Sequence, residues 1–178
     1  PGRRARQRRR AVTAPNPGVA PASGPWAARV VTVSDGVAAG TREDRGGPAL
    51  VAALARAGAR VDPIVVSADG VDAVAAALRA ACDGFAGLVV TTGGTGFGPR
   101  DLTPEATRTV IEREAPGLAE AMRAVNPLGR LTRGVAGTVG RAVVLNVPGS
   151  PGGAVECLEA VVDVVPHALR LLQGETGH

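Results

Sequence analysis

The residues best suited to chemistry lie in one short stretch, "TTGGTGFGPRDLTPEAT", from Thr91 to Thr107. Gly93, Gly94, Gly96 and Gly98 carry no Cβ and permit positive φ, so successive backbone N–H groups can converge on an anion. Thr92, Gly93, Gly94, Thr95 and Gly96 are therefore the candidate cradle for a phosphate or pyrophosphate. No Gly-Lys-Ser/Thr follows, as a Walker A loop requires, and the stretch does not open a helix after the first strand, as a dinucleotide fingerprint would. Asp101 stands directly behind the loop, and Asp69 closes an earlier apolar run, "RVDPIVVSAD". Two carboxylates facing one anion cradle are a poor electrostatic arrangement unless a cation lies between them. A hard cation such as Mg²⁺ takes oxygen ligands and keeps several waters, which suits metal-assisted nucleotide chemistry. The plainer use of the same residues is a tight turn, with Asp69 and Thr103 at the entries of the helices that follow.

Other polar residues gather at comparable places. Ser34-Asp35 ends the first apolar run, where it could contact a substrate or simply turn the chain. "LNVPGSPGG" offers Asn146, Gly149 and Ser150 ahead of the last helical segment, as a second cradle or an ordinary strand-to-helix turn. Asp44 reads as a helix cap. Cys82 and Cys157 lie in apolar helical stretches without metal-ligand spacing, and read as buried thiols in a reducing compartment. With only His167 and His178 besides, neither a zinc site nor a Ser-His-Asp or Cys-His triad suggests itself.

These residues need a scaffold, and the apolar pattern supplies one. "ARVVTVS", "RVDPIVVS" and "AGLVVTT" are continuous β-branched runs of the kind buried on both sheet faces, with Pro63 marking an edge or early strand position. Helical segments alternate with them: "DRGGPALVAALARAGA" stopping at Gly58, "GVDAVAAALRAAC", "TPEATRTVIERE" with Pro104 just inside its start, and "GLAEAMRAV". "GVAGTVG" and "RAVVLNVPG" form a hairpin about Gly140, and "GGAVECLEAVVDVVPHALRLL" closes the chain as a helix broken or kinked at Pro166. The rhythm predicts a three-layer α/β fold, a mainly parallel sheet with helices on both faces and one late antiparallel hairpin. Ligands in such sheets bind beyond the carboxyl ends of the strands, near a switch in strand order. Ser34, Asp35, Asp69, the glycine loop and Asn146 to Ser150 all fall at those ends, whereas the opposite ends carry no such residues.

Charge has to be read in two parts. All 20 basic residues are arginine, and six of them fall in the first ten positions. Residues 26–178 carry 14 arginines against 16 acids, a formal net charge of −2, so the high overall pI says nothing about a nucleic-acid face. Residues 1–25 combine the arginine cluster with an Ala/Pro/Gly/Ser stretch, a composition that reads as a disordered tail, leaving 26–178 as a single domain. The tail could act as a phosphate-binding arm, on nucleic acid or a membrane surface, and it lacks the apolar region of a secretory signal. No apolar run approaches the roughly 18 residues of a membrane span. With no Tyr, one Trp and two Phe, the core must be packed with Val, Leu and Ala.

The pieces "VSDGVAAGTREDRGGPAL", "TTGGTGFGPRDLTPEAT", "PLGRLTRGVAG" and "VLNVPGSPGGAVECLEAV", in this order, resemble the MogA/MoaB family of molybdopterin adenylyltransferases. The likeness runs from residue 29 to 173. Its most restrictive part is TGGTG followed by the Arg-Asp pair and a Thr-Pro-Glu-Ala-Thr helix start. The resemblance implies a MogA-like molybdopterin-binding fold and transfer of AMP from Mg-ATP to the terminal phosphate of molybdopterin, with release of pyrophosphate. It maps the family's two aspartates onto Asp101 and Asp69, as holders of Mg²⁺ and the nucleotide. This chain has "VVSADG" where relatives often place Pro before the second of them. Ser34, Asp35, Asn146, Gly149 and Ser150 become candidates for lining the pterin or adenine pockets, and Thr132 stands where relatives often carry Ser. A cytoplasmic homotrimer and a molybdenum insertase as recipient of the product are implied in the same way. Since the pterin phosphate is itself the nucleophile, a chain without a triad suits the reaction. A silent molybdopterin-binding or carrier module is the alternative on the same fold, and retention of both aspartates favours the enzyme.

Overall fold

The computed structural model of the chain describes residues 25–175. Of the tail expected at residues 1–25, all but Pro25 lies outside them, as does His178. Strands β1 (Trp26–Val33), β2 (Ala59–Val61), β3 (Val65–Ser67), β4 (Ala86–Thr92), β5 (Arg113–Glu114), β6 (Ala136–Val139) and β7 (Arg141–Val147) form one sheet in the order β2-β1-β4-β7-β6-β5, with β3 also pairing β1. Pairings among β1, β2, β3, β4 and β7 are parallel, while β6 runs antiparallel to both β7 and β5. The expected mainly parallel sheet is therefore present, and its antiparallel part is larger by β5.

Alternation along the strands sends side chains into two cores. Ala28 and Val30 of β1, Leu88 and Val90 of β4, and Val143, Leu145 and Val147 of β7 meet helices α2 (Gly46–Arg56), α5 (Pro116–Ala124), α6 (Pro151–Glu159) and α7 (Val165–Leu172). Val31, Val33, Val89 and Val144 face α3 (Val71–Cys82) and α4 (Thr103–Arg108). Leu50, Leu54, Leu78 and Leu88 are fully buried, each contributing roughly 1.5–3 kcal/mol of hydrophobic free energy. Cys82 and Cys157 are buried free thiols in opposite cores. Burial pushes the Cys82 thiol up to about 11 despite the nearby Arg29, and raises that of Cys157 as well. No helix among the described residues is long and apolar enough to cross a membrane.

Three elements depart from the sequence pattern. "RVDPIVVS" is not one strand: it breaks into β2 and β3 around Pro63, which has no N–H to give the ladder. The helix expected over 103–114 stops at Arg108, because Arg113 and Glu114 pair with Thr138 and Gly137 on β6. A short helix α1 (Asp35–Ala38) also follows β1, capped by the Ser34 hydroxyl accepting from the Val37 N–H at 3.4 Å. Elsewhere the signals hold: Gly58 turns the chain after α2 at φ +84°, Gly140 joins β6 to β7 at φ +53°, and Pro166 opens α7.

Candidate active site

From β1 the chain goes to β2 and β3 on one side and returns to β4 on the other, so the switch in strand order lies between β1 and β4. The carboxyl ends of β1, β3, β4 and β7 share one edge of the sheet, where a cleft of about 1000 Å³ opens. Ser34, Asp69, Thr92, Gly93, Gly94, Thr95, Gly96, Asp101, Gly149 and Ser150 all line it. Residues as distant in the chain as Ser34 and Ser150 are thus brought together by parallel pairing alone.

The glycine loop is built by close approach. Gly93 and Gly94 have φ of +106° and +62°. A Cβ on Gly93 would overlap the Val33 carbonyl oxygen, and one on Gly94 would overlap the Thr103 hydroxyl and stand 3.3 Å from Asp69 Oδ1. Gly149 crosses directly over the loop, where a Cβ would lie 3.2 Å from Gly93 Cα. Thr103 ties the far side: its hydroxyl donates to the Gly93 carbonyl at 2.9 Å and its N–H to the Gly94 carbonyl at 3.0 Å. Thr103 therefore stands at the entry of α4 but bonds back to the loop rather than capping the helix. The Thr92 hydroxyl is also occupied, donating to the Pro148 carbonyl at 2.8 Å.

Each of the two aspartates has one carboxylate oxygen pinned by the protein. Asp101 Oδ2 accepts from the Gly98 N–H at 2.8 Å, and Asp69 Oδ2 accepts from the Asp35 N–H at 2.7 Å. The second oxygen of each accepts no hydrogen bond among the described residues. Asp69 Oδ1 approaches Gly94, while the pinned Asp101 oxygen lies 2.9 Å from the position of a Gly96 Cβ. Among the described residues no group of three or more His, Cys, Asp or Glu could close round a metal. Two carboxylates leave most of a cation's shell to water and substrate phosphate, which is how Mg²⁺ is ordinarily held. The donor set fits that ion.

Two predicted lining residues are placed elsewhere. Asn146 is 2% exposed and points away from the cleft into the α4 side of the sheet. Its Nδ2 donates to the Thr91 and Thr107 hydroxyls, both at 2.9 Å, and its Oδ1 accepts from the Val135 N–H at 3.2 Å. The strict alternation of β7 explains this: Leu145 and Val147 face the other core, so Asn146 must face α4. Asp35 does not line the cleft either. Its carboxylate turns outward to Arg100, whose Nε and Nη2 grip it at 2.8–3.0 Å. Asp44 behaves as the expected cap, accepting from the Gly47 N–H at 2.9 Å and from the Thr32 hydroxyl at 2.7 Å. Thr132 lines the cleft and accepts from the Gly134 N–H at 3.2 Å.

Sequence reasoning missed Arg133. It holds the glycine loop from the β6 side: its N–H donates to the Thr95 carbonyl at 2.9 Å, its Nε to the Gly96 carbonyl at 2.7 Å, and its two Nη groups to the Asp101 carbonyl and Glu105 Oε1. Burial alone would raise the Glu105 carboxyl, but the hydrogen bond from Arg133, with the Arg133 and Arg108 charges, holds it below its ordinary range. No local signal marks Arg133, because its partners lie far earlier in the chain, from Thr95 to Glu105. Arg42 and Arg45, from the loop after α1, also line the cleft.

The chain matches the family described as "Probable molybdopterin binding domain" over residues 29–167. It is 36% identical over 154 residues to the molybdopterin adenylyltransferase of Helicobacter pylori, covering 82% of this chain and 86% of that protein. A solved MogA structure superposes with a TM-score of 0.78 at 40% identity, over 82% of this chain and 99% of its own. The molybdopterin biosynthesis enzyme MoaB from Thermus thermophilus does so with a TM-score of 0.78 at 45% identity, over 84% and 98%. Family match, sequence identity and structural superposition thus agree, and the chain belongs to the MogA/MoaB family of molybdopterin-binding domains.

Proposed function

We propose that this protein acts in molybdenum cofactor biosynthesis as a nucleotidyltransferase that moves AMP from ATP to the terminal phosphate of molybdopterin, releasing pyrophosphate. The observation that carries the reading is the pair Asp69 and Asp101, each with one oxygen that accepts no hydrogen bond among the described residues, one beside Gly94 and the other beside Gly96 and Gly98 of a glycine loop that lines the same cleft. A bound Mg²⁺ would supply charge neutralisation at the transferring phosphate. Asp69 and Asp101 would hold it, and the backbone of Gly93 to Gly96 would receive phosphate oxygens. Ser34, Thr132, Gly149 and Ser150, which line the rest of the cleft, would contact the pterin or the adenine. The attacking oxygen belongs to the pterin phosphate, so the chain need supply only position and charge.

The decisive experiment combines purified protein, molybdopterin, ATP and Mg²⁺, with Asp101→Asn as the variant. Adenylylated pterin and pyrophosphate should form with the parent protein, stop on adding EDTA, and be lost in Asp101→Asn while its melting temperature is kept. Tight pterin binding without product from the parent protein would instead favour the silent carrier. The product is a phosphoanhydride, an activated species that needs a consuming enzyme, which supports a molybdenum insertase as its recipient. A homotrimer and a cytoplasmic location belong to the same proposal; light scattering and fractionation of the full chain would test them.

A further inference from the structure

We propose that Arg100 is a positioning residue that sets the separation of Asp69 and Asp101, and so the affinity of the site for its divalent cation; this rests on the reading of those two aspartates as the metal pair. Arg100 immediately precedes Asp101 in the chain, yet its side chain ends on residues that follow β1 and β3. Its Nη2 donates to the Asp69 carbonyl at 3.0 Å, and Nε with Nη2 forks onto the Asp35 carboxylate. Asp35 in turn is locked to Asp69 in both directions. The Asp35 N–H donates to Asp69 Oδ2 at 2.7 Å, and the Asp69 N–H donates to Asp35 Oδ1 at 3.0 Å. One guanidinium thus joins the loop ends of β1, β3 and β4. The Asp69 carboxylate cannot rotate without breaking the Asp35 bond, and Asp101 cannot retreat without dragging Arg100 from its fork.

Charge gives the second reason. Asp69 and Asp101 line the cleft with Asp35 bonded just behind Asp69, and among the described residues Arg100 is the arginine whose guanidinium pairs with a carboxylate of these three, since Arg133 is paired with Glu105. Its planar fork matches a carboxylate and a carbonyl at once, a geometry that a lysine ammonium does not reproduce. The Arg100 and Asp35 side chains are 62% and 48% exposed, and ion pairs of that exposure add little to folding stability. The contacts therefore matter chiefly for where the aspartates stand, and loss of Arg100 should weaken metal binding without unfolding the protein.

The test is a Mn²⁺ titration followed by electron paramagnetic resonance, on the full chain with a non-hydrolysable ATP analogue, together with melting temperature. Arg100→Ala and Arg100→Lys should each weaken Mn²⁺ binding by about tenfold or more, the scale of losing an outer-shell partner of a metal ligand, with melting nearly unchanged. Arg56→Ala, which removes an exposed pair with Glu159 on the helical face, should alter neither. Asp101→Asn separates the two claims. If it abolishes Mn²⁺ binding while Arg100→Ala leaves the affinity at the parent value, the clasp is wrong and the metal pair stands. If Asp101→Asn leaves binding intact, the metal reading fails and the clasp with it. Full rescue by Arg100→Lys, or a large fall in melting temperature for Arg100→Ala, would also overturn the proposal.

Discussion

Replacing Asn146 by Ala distinguishes a buried structural residue from a substrate contact. The side chain makes three hydrogen bonds in a closed environment: two donated to Thr91 and Thr107, one accepted from the Val135 N–H. The threonine hydroxyls keep other carbonyl acceptors, Leu145 for Thr91 and Thr103 for Thr107, so each loses only a bond worth about 0.5–1.5 kcal/mol. Val135 has no second acceptor among the described residues, and leaving a buried N–H unpaired costs about 1–3 kcal/mol. Together the loss is on the order of 3–4 kcal/mol, before any cavity cost. At about 2–4 °C per kcal/mol for a domain of this size, melting should fall by roughly 10 °C. Thermal and urea unfolding would measure this, and fluorescence titration with molybdopterin would measure binding. A large stability loss is expected and, below the melting range, pterin affinity close to the parent. A variant that melts with the parent protein but has lost pterin affinity would show that Asn146 touches substrate and that its side chain turns into the cleft rather than toward α4.

Two further outcomes follow from the loop and its support. Gly93→Ala meets both positive φ and the Val33 carbonyl, and should cost on the order of 3 kcal/mol or more. Gly84→Ala, at φ +59° with open space around it, should cost only about 1 kcal/mol; equal losses in chemical denaturation would discard the close-approach account. Glu105 has its carboxyl lowered in the folded chain, so the native state binds that proton less readily than the unfolded one. Its contribution is complete above the ordinary value of 4.5 and is lost as pH falls through the lowered one. Glu105→Gln should therefore lose less stability than the parent as pH falls below 4.5, as urea midpoints measured downward from that pH would show; parallel curves would contradict it.

The amino-acid pattern alone determined the layers, the parallel sense of most of the sheet and the edge on which the site lies. Those follow from local physics: continuous β-branched runs must be buried on both faces, crossovers are right-handed, and glycine is needed wherever backbone meets backbone. The pattern likewise brought forward Asp69, Asp101 and the loop from Thr92 to Gly96, because anion-binding turns have a composition of their own. What it could not decide is which way a polar side chain at a strand end points. Asn146 and Gly149 belong to one polar stretch of sequence, yet the first, within β7, is sealed beneath α4 and the second lines the cleft. Ser34 and Asp35 are neighbours, and only the first faces the site. Arg133 and Arg100 were equally invisible as supports, since their meaning depends on partners that strand pairing brings near. Side-chain direction comes from sheet register, which is a property of the assembled strands, and so that part of the site was decided only by the tertiary structure.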